Sequence, residues 1–429
     1  MSQIIEIFKD ITNIPRCSGT HEPFIDYMQK FAKKYDYLCL VDRTNNILCK
    51  KNTSKAKLSF QSHYDIVCLS ENCVPEIIQE GDILKAKDST LGSDNGIGCS
   101  YMLYLMSQNY DCEFLFTSDE EIGLIGANNL DFALQSKYML NLDSEEEGKV
   151  CIGCAGGVDI FAENFNKEII ENKDKLELYE ISITNLQGGH SGVDIDKNIP
   201  NAIKLLAKTI KECNGKLLDI YAGERINSIP ANAKAIIATN QKPIASHVNM
   251  QIDKIDTVSE HLNIFDEKIV DFLYTFANGV RGYDKNLGVV LNSINLAKIE
   301  TSIDSIKIEL SARSMQNDEL QRIKDETVVL LQNHNFEVKT DGKYPAWKPD
   351  INEFTNIVLE IYKKYNENAS LEAIHAGLEC AIFKDKFPNI KIASIGPTIK
   401  FPHSKKEQVS IESIENVFKV VKQIANKYV

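Results

Sequence analysis

The residues of this chain that could do chemistry sit where apolar runs stop. Phe114-Leu115-Phe116 is a short apolar run of the kind that builds a buried strand. After Thr117-Ser118, three carboxylates follow at once: Asp119, Glu120 and Glu121. Gly123 and Gly126 then permit a tight turn and close packing into a helix. Acids at the end of a buried strand lie at the carboxyl edge of an α/β sheet, where ligands bind. Adjacent side chains point in different directions there, so one of Glu120 and Glu121 can hold a cation while the other faces a substrate. Read alone, the cluster also suits a solvated acidic turn that caps a helix.

The pattern recurs. The expected strand Leu58–Ser62 runs into His63-Tyr64-Asp65, and His63 and Asp65, two apart, share a face on extended chain. The expected strand Tyr138–Leu142 ends in Asp143. Asp94 lies in a glycine-punctuated loop, Asp88–Gly98, that opens a helix over Ile97–Met106, apolar on most sides and so buried. Such a loop could cradle a phosphate. Neither a dinucleotide fingerprint nor a GK[ST] is present, however, and an Asp stands where the anion would sit. His403 follows in Gly396–Ser404. Two imidazoles (His63, His403) and three carboxylates (Asp94, Glu121, Asp143) suit zinc, manganese or cobalt, and two ions rather than one. Carboxylates this close would raise one another's pKa, a cost that divalent cations remove. Asp65 is placed to fix the tautomer of His63. For a lone histidine the alternative is a satisfied core residue; His21, His247, His261 and His334 have no comparable context.

These positions need a sheet to align them. With 429 residues, two domains are expected. Helices are predicted over 2–35 with a break at Pro15-Arg16, the second from Glu22 to Lys34, and strands over Tyr37–Val41 and Ile47–Lys50. From about residue 177 the texture becomes longer alternating strands with helices between them: strands 178–186, 217–226, 232–239, 288–298, 304–313 and 336–341, helices 201–213, 261–277 and 318–334. That is an α+β layer with an antiparallel sheet, inserted over 177–345 into a metal-binding domain of 1–176 and 346–429. Pro345, Trp347 and Pro349 mark the return, and helices 353–365 and 377–387 and a closing helix from Ile411 follow.

Composition narrows the partners. The formal charge of −13 argues against nucleic acid and anionic membrane. The first residues carry Glu6 and Asp10 within their apolar pattern, unlike a signal peptide, and no apolar run reaches the length of a membrane span. Eleven cysteines are scattered singly through apolar segments, as reduced core thiols of a cytoplasmic protein would be, and the lone Cys151-Ile152-Gly153-Cys154 reads as structural.

The stretches SHYDIV, LGSDNGIG, TSDEEIGLIGA, NLDSEEEG, GCAGG, GGHSG, YPAWKP, IHAGLEC and GPTIKFPHS occur in this order across nearly the whole chain. Together they resemble the M20 metallopeptidases and, within them, the aminoacyl-histidine dipeptidases (cytosol non-specific dipeptidases). The resemblance implies a zinc-exopeptidase-like mixed-sheet catalytic domain with an inserted ferredoxin-like lid, short here for this subfamily. It implies that His63, Asp94 and Asp143 hold one metal ion, and Asp94, Glu121 and His403 a second, with Asp94 bridging. Glu120 would then be the general base and Asp65 the carboxylate behind His63. His190 of GGHSG matches the oxyanion histidine, often supplied across a dimer interface, which makes a homodimer the expected state. Arg313 of SARSM and Gly377 of IHAGLEC match positions that hold the substrate carboxylate, and Asn227 of RINSIP matches a lid asparagine.

The expected activity is a cytoplasmic dipeptidase acting on Xaa-His and other dipeptides, with two divalent ions, zinc first and manganese or cobalt as alternatives. Rival readings are a tripeptidase or aminoacylase of the same type and a non-catalytic peptide-binding relative. A degenerate copy would normally have lost one of the five ligands or the base, and all six are present.

Overall fold

A computed structural model describes residues 3–69, 74–172, 175–256 and 260–428. The chain divides into two compact units. One comprises Met1–Cys154, Trp347–Ala373 and Leu378–Val429; the other comprises Ala155–Ala346 and Ile374–Gly377.

The first unit is built on an eight-stranded mixed sheet. Its order is Leu38–Val41, Ile47–Lys50, Glu113–Thr117, Leu58–His63, Tyr138–Asn141, Lys391–Ser394, Lys149–Cys154, Ser370–Ile374. The four central strands, Glu113–Thr117, Leu58–His63, Tyr138–Asn141 and Lys391–Ser394, run parallel. Three of them are buried along their whole length or nearly so, and in Leu58–His63 the polar Ser59, Gln61 and Ser62 are buried together with the apolar residues. Phe60 and Phe114 stack at 5.8 Å between these strands, each fully buried. Burial on that scale contributes about 1.5–3 kcal/mol per ring. Helix Ser93–Ser107 is buried on nearly every side, as its composition implies. A small four-stranded sheet pairs Ile399–Lys400, Gln408–Ser410, Ile83–Ala86 and Ile77–Glu80, and so fixes the hairpin that carries His403.

In the second unit a nine-stranded antiparallel sheet packs against helices Ala202–Glu212 and Asn317–Asn333. The unit begins at Ala155, not at 177, because strand Gly156–Asn164 hydrogen-bonds to Ile306–Ser314 on one side and Glu337–Tyr344 on the other. The expected helix 261–277 is also corrected. His261–Phe265 is a strand paired with Lys167–Glu171, and the helix is Glu267–Thr275, capped by the Asp266 carboxylate. Leu262 and Ile264 are buried there while His261 and Asn263 are exposed, a period of two that wins over the helical one.

The cysteine expectation also changes. Cys17 and Cys68 form a disulfide, because Cys17 pairs with Ile66 and its Cα comes to 5.6 Å from that of Cys68. The other described cysteines are outside any disulfide, Cys151 and Cys154 among them in a buried strand; Cys73 lies outside the described residues. No helix among the described residues is long and apolar enough to cross a membrane.

Candidate metal centre

The four parallel strands of the first unit end at one edge of the sheet, and each delivers a functional group there. Leu58–His63 ends in His63, Glu113–Thr117 leads into Glu120 and Glu121, Tyr138–Asn141 leads to Asp143, and Lys391–Ser394 leads to the hairpin with His403. Asp94 enters from the first turn of the buried helix. Ligand atoms of His63, Asp94 and Glu121 lie within 4.8 Å of one another.

Asp94 divides the site in two. Its Oδ1 is 3.1 Å from His63 Nε2, which is also 3.2 Å from Asp143 Oδ1. Its Oδ2 is 3.0 Å from His403 Nε2, which is 2.8 Å from Glu121 Oε2. His63 uses its other nitrogen, Nδ1, toward the main-chain carbonyl of Asp65 at 3.0 Å, with the Asp65 carboxylate farther off at 3.6 Å. That carboxylate instead accepts the N–H groups of Glu120 (3.0 Å) and Glu121 (3.3 Å) and the Ser18 hydroxyl (2.8 Å). Asp65 therefore holds the turn that presents the two glutamates as well as the ring of His63.

The electrostatics are those of a site short of positive charge. Burial, together with repulsion from Asp143 and Glu121, pushes Glu120 well above the usual carboxyl range. Burial and Asp94 push Glu121 up to about 7. Burial opposes ionisation of Asp94, but hydrogen bonds from His403 and His63 outweigh it and hold Asp94 low. Burial likewise opposes charge on His403, yet Asp94 and Glu121 push it up to about 11, and Asp143, Asp65 and Asp94 raise His63. Among the described residues no lysine or arginine forms a salt bridge with Asp94, Glu120, Glu121 or Asp143, and Glu121 Oε1 is buried without a hydrogen-bond partner. A mixed set of imidazole and carboxylate donors with an excess of negative charge fits divalent cations of the zinc, manganese or cobalt type.

Sequence reasoning missed the support beneath this edge. Gln61 and Asn141 each lie two residues before a candidate ligand and so on the same face. Asn141 donates to Gln61, and Gln61 donates to the fully buried Glu379 at 2.6 Å, as does Thr117 at 2.7 Å. Burial pushes Glu379 up to about 8. Its signal is present in IHAGLEC, two residues after Gly377.

The second unit gathers the remaining expected residues. His190 is paired in a two-residue strand with Ser228, which places Asn227 beside it; the Asn227 carbonyl accepts the Ser191 N–H at 2.8 Å, and its side chain is exposed. His190 Nδ1 accepts the N–H groups of Gly192 (3.2 Å) and Val193 (3.3 Å). A nitrogen that accepts cannot carry the proton, so Nε2 is the donor of the neutral ring. Gly192 is required by proximity, since a Cβ there would lie 2.5 Å from the His375 carbonyl and 3.0 Å from the His190 ring. Arg313, 8% exposed, donates to the Tyr344 hydroxyl at 2.7 Å and leaves its Nε without a partner. Gly377 packs on the ring of the same Tyr344. His375, another residue the sequence reading passed over, bonds Ser293 at 2.7 Å, and burial followed by the charge of Arg313 pushes it down to about 3.

The chain is similar to known peptidases in sequence and in fold. A family model described as peptidase family M20/M25/M40 matches residues 99–427. The chain is 30% identical to a cytosol non-specific dipeptidase of Escherichia coli (strain K12), over 98% of this chain and 96% of that protein. The crystal structure of an aminoacylhistidine dipeptidase from Vibrio alginolyticus superposes with a TM-score of 0.84 at 27% identity, covering 100% of this chain and 96% of the other. A tripeptidase from Staphylococcus aureus shares the fold with a TM-score of 0.62 at 16% identity, over 99% of this chain and 98% of the other.

Proposed function

The chain belongs to peptidase family M20/M25/M40, and from that premise we propose that it is a metal-dependent dipeptidase with a binuclear centre. The observation that carries the number of ions is Asp94, whose two oxygens face different histidines, each with its own second carboxylate. His63, Asp143 and Asp94 would hold one divalent ion; Asp94, Glu121 and His403 the other. Zinc suits the donors first, with manganese or cobalt as alternatives. The names of the E. coli and Vibrio relatives support dipeptides, Xaa-His among them, as substrates, and the former supports a cytosolic location.

Two divalent ions would polarise the scissile carbonyl and acidify the attacking water. Glu120 lies beside Glu121 on the same turn and belongs to neither ligand set. It accepts the proton of the water and returns it to the leaving amine. Burial favours this, since a carboxylate with a raised pKa is a stronger base. His190, with its proton on Nε2, is a neutral donor suited to a developing oxyanion. Arg313 offers a buried, partly unpartnered guanidinium to a substrate carboxylate, with the Gly377 backbone and Asn227 as further contacts. A homodimer belongs to the same proposal, since the likeness that assigns His190 supplies it from a partner chain. Mixing inactive His190→Ala and Glu120→Ala chains tests that part: regained activity supports it, and mixed dimers without activity refute it.

The main test is metal analysis of the purified protein together with a library of dipeptides, tripeptides and acylated amino acids. Close to two divalent ions per chain, reversible inactivation by chelation and preference for free dipeptides are expected. Full activity after complete metal removal would refute the proposal.

A further inference from the structure

The glycine-punctuated loop before the buried helix has the form of an anion cradle, and the chain supplies the anion itself. Glu407, 2% exposed, accepts the N–H groups of four consecutive residues. Its Oε2 takes Leu91 (2.8 Å) and Gly92 (3.1 Å), while its Oε1 takes Ser93 (2.8 Å), Asp94 (3.3 Å) and the Ser93 hydroxyl (2.6 Å). Four main-chain N–H groups that point into one buried turn each need an acceptor, and a single carboxylate supplies it to all of them. Gly92 makes the turn possible at a φ of 70°. On the other side of the turn the buried Arg16 donates to the carbonyls of Gly92 and Tyr64, each at 2.8 Å, and so ties the loop to the residue after His63.

Glu407 is also four residues from His403 on one hairpin, between strands Ile399–Lys400 and Gln408–Ser410. Its N–H bonds the Ser404 carbonyl at 3.1 Å and closes the turn. His403 itself is half-exposed and sits at a φ of 58°, a conformation that a non-glycine residue keeps only when its surroundings impose it. The buried end of this hairpin is Glu407. One carboxylate therefore grips the backbone of Asp94 and carries His403 on its own loop.

We propose that Glu407 is a positioning residue of the cation centre: seated in the cradle of Leu91–Asp94, it sets the spacing of Asp94 and His403. This rests on the reading of these two residues as ligands. The prediction concerns affinity for metal, not only turnover.

The test uses metal-free full-length protein, titrated with zinc against a chromophoric chelator. Loss of a partner behind a ligand lowers metal affinity by about 10–100-fold, and that loss is expected for the weaker ion in Glu407→Ala. Tens of millimolar formate should then restore most of it, because the emptied cradle still presents four N–H groups to a small anion. Formate should do nothing for the unmodified protein. Glu407→Gln, which keeps the shape but turns donors toward donors, should show the loss without rescue. A folded Glu407→Ala chain that binds both ions as tightly as the unmodified one overturns the inference. A loss that formate leaves untouched also overturns it, since that would be damaged packing. If Glu407→Ala does not fold, Glu407→Gln decides alone: reduced affinity supports the role and unchanged affinity refutes it. Unmodified protein that binds no zinc would refute the proposed function itself, a result distinct from either variant outcome.

Discussion

Binding of divalent ions to this centre should expel protons, in a number that the geometry sets. A histidine or carboxyl can serve as a ligand only when deprotonated. Held between Asp94 and Glu121, His403 has its pKa pushed up to about 11, and three carboxylates raise His63 well above its ordinary value. The ring of His403 is therefore protonated at pH 8 in the metal-free protein, and that of His63 is shifted in the same direction, so loading the centre must remove at least ~1 proton. Ligands with ordinary values near 6.5 and 4.3 would release almost none at that pH. The sign follows: apparent affinity rises with pH, and the two-ion binding constant should climb at least ~10-fold per unit around pH 8. Calorimetric titration of zinc into metal-free protein, in two buffers of different ionisation enthalpy, counts the protons directly. His403→Ala should lower the count, because that ring no longer has a proton to discharge. Release near zero at pH 8, or an affinity flat from pH 7 to 9, would refute the account of the centre as a charge-starved site whose histidines neutralise its carboxylates.

Three further outcomes are expected. Glu120→Gln should keep its metal and lose about 10²–10⁴-fold in turnover, the usual contribution of a positioned proton-transfer group, whereas Glu121→Gln should bind metal more weakly; parallel metal analysis and kinetics would expose a reversal. Arg313→Lys should erase most of the preference for a free-carboxylate dipeptide over its amide with metal content unchanged, because an ammonium cannot reproduce the planar fork. Equal cleavage of acid and amide by the unmodified protein would count against this anchor. Finally, the metal-free chain should melt at lower temperature as pH rises from about 6 to 9. Glu121 (about 7), Glu379 (about 8) and His403 (about 11) bind protons more tightly folded than unfolded, so their contribution is lost as pH rises through these values. Added zinc should reverse the trend, and a flat melting profile in the metal-free protein would contradict it.

The sequence by itself determined the chemistry of the centre, because the relevant signals are local. A buried strand must be apolar and must end, and the acids that follow Phe116 and Leu142 and the His63 that follows Ser62 mark those ends. The resemblance carried by TSDEEIGLIGA and GPTIKFPHS is what implies different roles for Glu120 and Glu121, which the residues alone left open. Tertiary structure decided whatever depends on partners far apart in the chain. That Glu407 fills the cradle of Leu91–Asp94, more than 300 residues away, could not be read from a loop whose Asp94 argued against a bound anion. That the Asp65 carboxylate grips the Glu120–Glu121 turn, that Cys17 meets Cys68 across 51 residues, and that the second unit starts at Ala155 all follow from strand pairing. The physical reason is the same in each case. Side-chain alternation and helix periodicity act over a few residues, while the carboxylate that satisfies a given set of N–H groups is chosen by which strands lie side by side, and that is settled only when the whole sheet forms.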